Sequence, residues 1–201
     1  MKHEYELEGY AYRLRPVQLT DAQFIVETRL EDAKRNKYIN KISSDVKLQE
    51  AWLERYFERE GDYYFIVENI FTNQREGLIG IYDVEGKKAE WGRWVIRKGS
   101  LAAIESMDLI YRIAFEKIGL DELFCRTLVE NKKVVSLHNS SGEHYRCTLN
   151  GYVELEGKQY DVVEHYANKA FFYSEIHDVM DYKMKFIMEM MKGSVNEEIE
   201  L

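Results

Sequence analysis

The sequence is poor in proline, in cysteine and in long apolar runs. With a single proline in 201 residues and no Ser-rich or Gly-rich tract, it offers no obvious linker, so one compact domain is expected. Cys125 and Cys147 are too few for a disulfide scaffold and lack metal-ligand spacing, so we expect buried, reduced thiols and no metal. Residues 1–9 lack a signal-peptide pattern and no run is apolar enough to cross a bilayer, which predicts a cytoplasmic protein with no membrane partner.

An excess of basic charge is also lacking. The net charge is −8, and no stripe of Lys and Arg is visible, which argues against nucleic acid as a partner because phosphate contacts need clustered cations. An acidic balance would attract a cationic substrate, although net charge discriminates weakly. The 45% of hydrophobic residues is enough for one substantial core.

Hydrophobic periodicity divides the chain into strands and helices. Period-two patterns rich in aromatic and β-branched residues predict strands over residues 10–15, 63–68, 77–84, 88–96, 123–129, 145–155 and 161–169. Three- and four-residue spacings predict helices that begin near residues 20, 45, 101 and 131. The first helix should turn Phe24, Ile25 and Leu30 inward, and the third should end at Gly119, a natural C-cap.

The long helix over residues 101–118 joins the strand at 88–96 to the strand at 123–129. Such a crossover places its two strands parallel, whereas shorter connections favour antiparallel neighbours. The sequence therefore predicts an α/β (α+β) fold with a mixed, mostly antiparallel sheet, a central β-α-β crossover and a C-terminal helix.

Three local motifs accompany this order of elements. They are Glu90-Trp91-Gly92 in a strand, Lys98-Gly99-Ser100-Leu101-Ala102-Ala103 at the start of the long helix, and Asn131 followed by Leu137-His138 and Gly142. With their separations, they resemble the GNAT superfamily of N-acetyltransferases across most of residues 10–170. The resemblance implies the GNAT fold, acetyl-coenzyme A as cosubstrate and transfer of an acetyl group to an amine.

The loop before the long helix has a direct physical interpretation. A strand that runs straight into a helix leaves N–H groups unpaired at the positive end of the helix dipole, where a diphosphate can bind. GNAT proteins carry Arg/Gln-x-x-Gly-x-Gly/Ala there, and Leu101 replaces one glycine. The resemblance implies that coenzyme A contacts Lys98, Gly99, Ser100, Leu101, Ala102 and Ala103. The alternative is an ordinary turn capped by Ser100.

The resemblance also implies a place for the pantetheine arm. The strands at 88–96 and 123–129 are expected to splay apart, so that the arm bonds to backbone at Trp94, Val95 and Ile96. Asn131 is expected in the same cofactor site. Amine attack should be direct, in a ternary complex, because neither cysteine lies at a motif position and Cys125 is expected in the core.

Glu90 is the predicted general base. A carboxylate is costly to bury in an apolar strand unless paired, and burial raises its pKa toward the range that suits proton abstraction. Alternation predicts two faces, Glu90, Gly92 and Trp94 on one and Trp91, Arg93 and Val95 on the other. The alternative is an edge carboxylate paired with Arg93 or Lys88.

His138 is the predicted proton donor. GNAT relatives carry a tyrosine seven residues after the Asn that begins this helix, and it protonates the departing thiolate. The same count from Asn131 arrives at His138, and imidazole can perform that protonation near neutral pH. A structural histidine is the alternative.

The amine acceptor is harder to infer. Tyr82, Trp91 and Tyr152 are candidate substrate contacts because aromatic faces stack on sugars and bases, although many aromatics here belong to the core. A small-molecule amine such as an amino-sugar nucleotide is preferred. A protein N-terminus or a polyamine is the alternative, and a non-catalytic acyl-coenzyme A sensor is a further one.

The C-terminal segment lies outside the GNAT pattern. Residues 1–172 form the predicted GNAT domain, and residues 173–201 form an amphipathic helix and tail. Its apolar stripe is Ile176, Val179, Met180, Met184, Ile187, Met188 and Met191. Such a stripe packs on its own domain or forms a homodimer contact, because methionine-rich faces adapt to partners.

Overall fold

The computed structural model describes residues 3–33 and 37–199. Its strands are β1 (Leu7–Glu8), β2 (Tyr12–Pro16), β3 (Tyr63–Asn69), β4 (Arg75–Glu85), β5 (Lys88–Ile96), β6 (Glu122–Leu128), β7 (His144–Leu155) and β8 (Lys158–Asn168). Its α-helices are α1 (Ala22–Leu30), α2 (Val46–Phe57), α3 (Ala103–Arg112), α4 (Lys132–Ser141), α5 (Lys169–Phe171) and α6 (His177–Ile199). A 3-10 turn precedes α1, and π-helical turns follow α3 and α5.

The predicted fold class is confirmed. The strands form one eight-stranded sheet in the order β1-β2-β3-β4-β5-β6-β8-β7. Neighbouring strands are antiparallel except β5 and β6, which run parallel with α3 as their crossover. The two-residue β1 was not predicted, because so short a strand has no periodic pattern. Among the described residues, no helix combines the length and apolar content that a membrane crossing requires.

Both faces of the sheet are covered. Successive residues of β3 point to opposite faces, so Phe65 packs in the cluster under α3 while Tyr64 packs in the cluster under α1 and α2. In α1, Phe24 and Ile25 are buried as predicted, but Leu30 is 41% exposed. The prediction for Leu30 is wrong because spacings of five and six residues turn it away from their face of the helix.

The C-terminal helices extend the cluster under α3. Phe172 and Ile176, in the π-helical turn, and Met180, in α6, are fully buried against it, and Met184 is nearly so. Val179, on another side of α6, is 45% exposed. One side of the C-terminal segment thus completes the core.

A bulge interrupts β5. Leu78 of β4 pairs with Val95, but Gly80, two residues on, pairs with Gly92, so β5 carries an additional residue between these pairs. Arg93 lies there with a φ of 49°, in the left-handed region that non-glycine residues rarely adopt. Such an insertion ends strict alternation along the strand.

The bulge moves Trp94 to the face that carries Trp91. Their ring centroids are 5.7 Å apart, and the Trp94 Nε1–H donates to Ser106 of α3 at 3.1 Å. Arg93 instead donates two hydrogen bonds to the Asp62 carboxylate beyond the opposite face. Val95 pairs with Leu78, which packs in the cluster under α1 and α2. The predicted faces are therefore wrong for Arg93, Trp94 and Val95, because one additional residue reverses the alternation.

β5 and β6 separate soon after they begin. Their register joins Lys88 with Glu122, Ala89 with Leu123 and Glu90 with Phe124. Beyond Glu90 the two strands diverge, while β6 stays paired with β8 through Leu128. The splayed strands implied by the resemblance are thus present, and the gap between them begins at Glu90.

Shortening a core side chain of α6 tests its packing. Met180→Ala should lower the free energy of unfolding by about 2 to 5 kcal/mol, because it leaves a cavity in the cluster under α3. Chemical denaturation monitored by circular dichroism measures the change. The neighbouring exposed Val179→Ala is the control and should stay within about 0.5 kcal/mol of the parent. Equal small effects would show that α6 contributes little to the core.

Candidate active site

A cavity of 650 Å³ lies between the end of β5 and the starts of α3 and α4. Trp94, Val95 and Ile96 form one wall, Ala103 marks the start of α3, and Asn131 marks the start of α4. Five of the residues predicted for the cofactor site therefore border one space. Past Glu90, β5 has no sheet partner on the β6 side among the described residues, so that edge of the strand can meet an extended ligand.

The loop before α3 is partly closed on itself. The Lys98 amide donates to Glu31 at 3.0 Å, the Ser100 amide to the Arg97 carbonyl at 3.2 Å, and the Ala102 amide to the Ser100 hydroxyl at 3.2 Å. The expectation of unpaired amides is wrong at these three positions, because Glu31 reaches the loop from the end of α1 and Ser100 bonds its own turn.

One amide of this loop remains available. Within the described part of the chain, the Gly99 amide has no hydrogen-bond partner, whereas the Leu101 backbone is hydrogen-bonded to the Tyr12 hydroxyl. Gly99 has a φ of 88°, which glycine adopts without strain. The Leu101 side chain is 43% exposed. The loop therefore offers a diphosphate fewer amides than its sequence predicts.

A second cavity of 310 Å³ adjoins the first. The two share Trp94, Asn131 and Val134 in their walls, so they form one continuous groove. Glu90 and His138, the predicted catalytic residues, both border the second cavity. The fold thus places Glu90 of β5 and His138 of α4 beside the same cavity.

The Glu90 carboxylate is 9% exposed and held from two sides. Tyr82 donates its hydroxyl hydrogen at 3.3 Å and Arg126 donates from its guanidinium at 2.6 Å. Burial raises the pKa of Glu90, and the charge of Arg126 offsets part of that effect. The alternative partners are wrong, because Arg93 pairs with Asp62 and Lys88 with a glutamate at the start of β6.

His138 is buried in the last turn of α4. Its Nδ1 is hydrogen-bonded to the Glu143 carboxylate, its Nε2 lies 3.6 Å from the Cys125 sulfur, and its ring meets the edge of Trp91. Cys125 is buried as predicted, and burial raises the pKa of its thiol well above the usual value. Cys147 is only half-buried, because it lies on the edge strand β7, so the prediction of a buried thiol there is wrong.

Cys125, His138 and Glu143 also form a candidate metal-binding group. Among the described residues they alone bring ligand atoms of three side chains within 4.8 Å of one another. His138 and Glu143 are hydrogen-bonded to each other, which occupies one ligand atom of each. The raised pKa of the Cys125 thiol also means that it keeps the proton that a metal would have to displace. The donor set therefore fits a hydrogen-bonded cluster better than a metal centre.

The predicted substrate aromatics differ in access. Trp91 is 1% exposed and donates its Nε1–H to Tyr111 at 3.3 Å inside the core. Tyr152 is 51% exposed, with the Arg126 guanidinium 4.8 Å from its ring centroid. Tyr82 lies between them and is partly buried. Tyr152 and Tyr82 thus have surface for a ligand to contact.

Arginines line the second cavity and a third cavity beside it. Arg29, Arg93 and Arg126 border the second cavity, and a third cavity of 330 Å³ shares Arg29 and Arg93 with it and adds Arg59. Glu90 is the carboxylate that lines these two cavities in the described part of the chain. A cationic lining was not predicted, because these arginines are scattered in sequence and the chain as a whole is acidic.

A sequence profile of the family described as "Acetyltransferase (GNAT) domain" matches residues 12–143, from β2 to the end of α4 and the turn after it. The chain belongs to the GNAT acetyltransferase family. GNAT acetyltransferases use acetyl-coenzyme A, and this GNAT protein is an N-acetyltransferase. None of the curated protein sequences compared with this chain matches it.

Solved structures share the GNAT fold of this chain. The apo form of FdhC, described as a nucleotide-linked sugar GNAT, is 25% identical with a TM-score of 0.74, and the match covers 89% of this chain and 98% of that one. The spermidine N-acetyltransferase from Vibrio cholerae, solved with CoA and spermine, is 18% identical with a TM-score of 0.73. That match covers 83% of this chain and 100% of that one.

Two lysines of this GNAT domain were missed by the sequence analysis. Lys132 and Lys133 follow Asn131 at the start of α4 and line the first cavity, where the positive end of the helix dipole adds to their charge. Their position fits an anionic group such as the diphosphate of coenzyme A. The signal was present as two consecutive lysines at a predicted helix start.

Removing these charges tests the fit. Lys132→Ala with Lys133→Ala should weaken coenzyme A binding roughly 5- to 30-fold, because each exposed ion pair contributes up to about 1 kcal/mol. Isothermal titration calorimetry at fixed salt measures the dissociation constant. The exposed Lys117→Ala, beyond the other end of α3, should bind like the parent. An unchanged dissociation constant in the double variant would contradict a phosphate contact at α4.

Proposed function

We propose that this N-acetyltransferase acetylates the primary amine of a small anionic molecule, an amino-sugar nucleotide, by direct attack in a ternary complex. The arginines that line the second and third cavities are the observation that carries the proposal. A guanidinium has five N–H donors, so Arg93 and Arg126 keep donors for the phosphate oxygens of a sugar nucleotide beside the carboxylates that they already bind.

The aromatic side chains support the same substrate class. Tyr152 and Tyr82 flank the arginines, and aromatic faces stack on sugar rings and bases. FdhC, at 25% identity, is described as a nucleotide-linked sugar GNAT. A polyamine is a polycation and calls for a lining of carboxylates, so a groove with Glu90 among arginines favours the anionic acceptor.

Glu90 serves as the general base. It takes a proton from the acceptor ammonium, directly or through a water molecule, and its raised pKa brings it closer to the pH at which the amine must be deprotonated. Burial raises the pKa of Tyr82 too, so that phenol stays protonated and keeps donating to Glu90. Arg126 fixes the other carboxylate oxygen.

Acetyl-coenzyme A is held along β5 and between two helix starts. The backbone of Trp94, Val95 and Ile96 bonds the pantetheine arm as an added strand would, and an N–H of this segment polarises the thioester oxygen. The free Gly99 amide, with Lys132 and Lys133, holds the diphosphate. His138 protonates the departing thiolate. Cys125 keeps its thiol proton, which favours direct attack over an acyl-enzyme.

Replacing the base tests its role. Glu90→Gln should lower kcat roughly 10²- to 10⁴-fold and leave the KM for acetyl-coenzyme A nearly unchanged, because the amide accepts no proton. In the parent, kcat should fall as the pH drops through the raised pKa of Glu90, since protonation removes the base. Thiol release measures both, with the exposed Glu85→Gln as control. An unchanged kcat in Glu90→Gln would remove the assignment.

A panel of amines tests the substrate class. We expect the highest kcat/KM with nucleoside-diphosphate amino sugars and low values with spermidine or peptides. Arg29→Ala should raise the KM for the sugar nucleotide without changing that for acetyl-coenzyme A. Faster turnover of spermidine would contradict the proposal. Calorimetric binding of acetyl-coenzyme A without turnover of any amine would instead favour an acyl-coenzyme A sensor.

A further inference from the structure

The Glu143 carboxylate is a buried charge that the proposed reaction does not use. It is 5% exposed, accepts a hydrogen bond from the Tyr111 hydroxyl and is hydrogen-bonded to Nδ1 of His138. Burying an ionisable group costs free energy unless its partners compensate, so two partners on one carboxylate indicate a specific arrangement.

The turn that ends α4 places Glu143 beside His138. Gly142 adopts a φ of 88° and ends the helix, and the Glu143 amide then donates to the His138 carbonyl at 3.3 Å. This turn folds the chain back, so that a residue five positions along comes beside the imidazole. A substitution at Gly142 would disturb the turn, because the left-handed conformation is strained for other residues.

The direction of the hydrogen bonds can be assigned. Burial raises the pKa of Tyr111 well above its usual value, so the phenol keeps its proton and donates it to Glu143. The Trp91 Nε1–H donates to the Tyr111 oxygen on its other side. Tyr111 therefore donates to one oxygen of Glu143. An ionised carboxylate has only acceptors, so the same carboxylate pairs with the His138 tautomer that carries a proton on Nδ1.

The other ring nitrogen of His138, Nε2, lies beside Cys125, and both residues border the second cavity. The sulfur is 3.6 Å from Nε2 and 3.9 Å from Nδ1, so it contacts the ring without being in line with one nitrogen. A thiol is a weak hydrogen-bond partner, so a group that enters this cavity beside Trp94 can compete with it for Nε2.

We propose that Glu143 is a positioning residue that holds His138 with Nδ1–H turned into the protein and Nε2 turned toward the groove. This inference rests on the proposed role of His138. In this step His138 is the imidazolium, with a proton on Nε2 as well as on Nδ1. As the C–S bond of the thioester breaks and the amine nitrogen bonds to the acetyl carbon, the Nε2 proton passes to the sulfur and leaves the neutral Nδ1–H imidazole. The acceptor ammonium loses two protons in all: one is released through Glu90, and the other restores the imidazolium. Tyr111 donates a hydrogen bond to the other oxygen of the Glu143 carboxylate.

Kinetics with two acyl donors test this role. Glu143→Gln should lower kcat with acetyl-coenzyme A roughly 10- to 100-fold, as expected when an orienting carboxylate is lost, with little change in KM. With 4-nitrophenyl acetate, whose leaving group needs no proton, the variant should match the parent after the uncatalysed rate is subtracted. The exposed Glu154→Gln is the matched control on β7 and should match the parent with both donors.

Nuclear magnetic resonance of the imidazole nitrogens tests the same inference without turnover. The parent should show a proton on Nδ1 of His138, and Glu143→Gln or Tyr111→Phe should change that signature. A bare Nδ1 in the parent, equal losses with both donors, or acetyl-Cys125 found by mass spectrometry after a single turnover would overturn the inference. Failure of the proposed function shows in the parent enzyme as absent turnover, whereas failure of this inference shows in the variant kinetics or the resonances.

Discussion

The early separation of β5 from β6 is the constraint on which the site depends. The two strands pair only as far as Glu90, and the bulge at Arg93 then turns Trp94 toward α3. A parallel pair that continued would consume the backbone groups of β5 and close the groove. Because it stops, one strand supplies both a carboxylate at the mouth of the gap and an unpaired edge along it. The starts of α3 and α4 then border the same opening.

Charge is distributed very unevenly in this acidic protein. Lysines at the start of α4 line the first cavity, and arginines line the second, where Glu90 lies among them. Arg126 joins Glu90 to Glu164, which also pairs with Arg146, so Glu90 is the end of a chain of alternating charges along β6, β7 and β8. Such a chain restrains the position of each member. The net charge of the sequence does not reveal this local arrangement of charges.

Features that depend on hydrophobic periodicity could be predicted from the sequence. Features that depend on a single inserted residue, or on a contact with a residue far along the chain, could not. Strand and helix positions, the crossover and the cap at Gly119 follow from local pattern. The faces of β5 do not, because the bulge at Arg93 is a single inserted residue. The loop before α3 was expected to be open, but Glu31 contacts Lys98 from 67 positions away. The role of Glu143 depends on a helix end, which spacing along a helix cannot anticipate.

The packing of α6 against α3 bears on how the chain is made. Met180 and Met184 belong to the same cluster as Met107 and Ile110, so the side of α3 that faces α6 stays uncovered until they are made. A ribosome delivers residues in order, and the strands that border the groove emerge well before these methionines. The nascent protein must therefore keep an apolar surface exposed during much of its synthesis. Chaperones that shield such surfaces would have a defined interval in which to act.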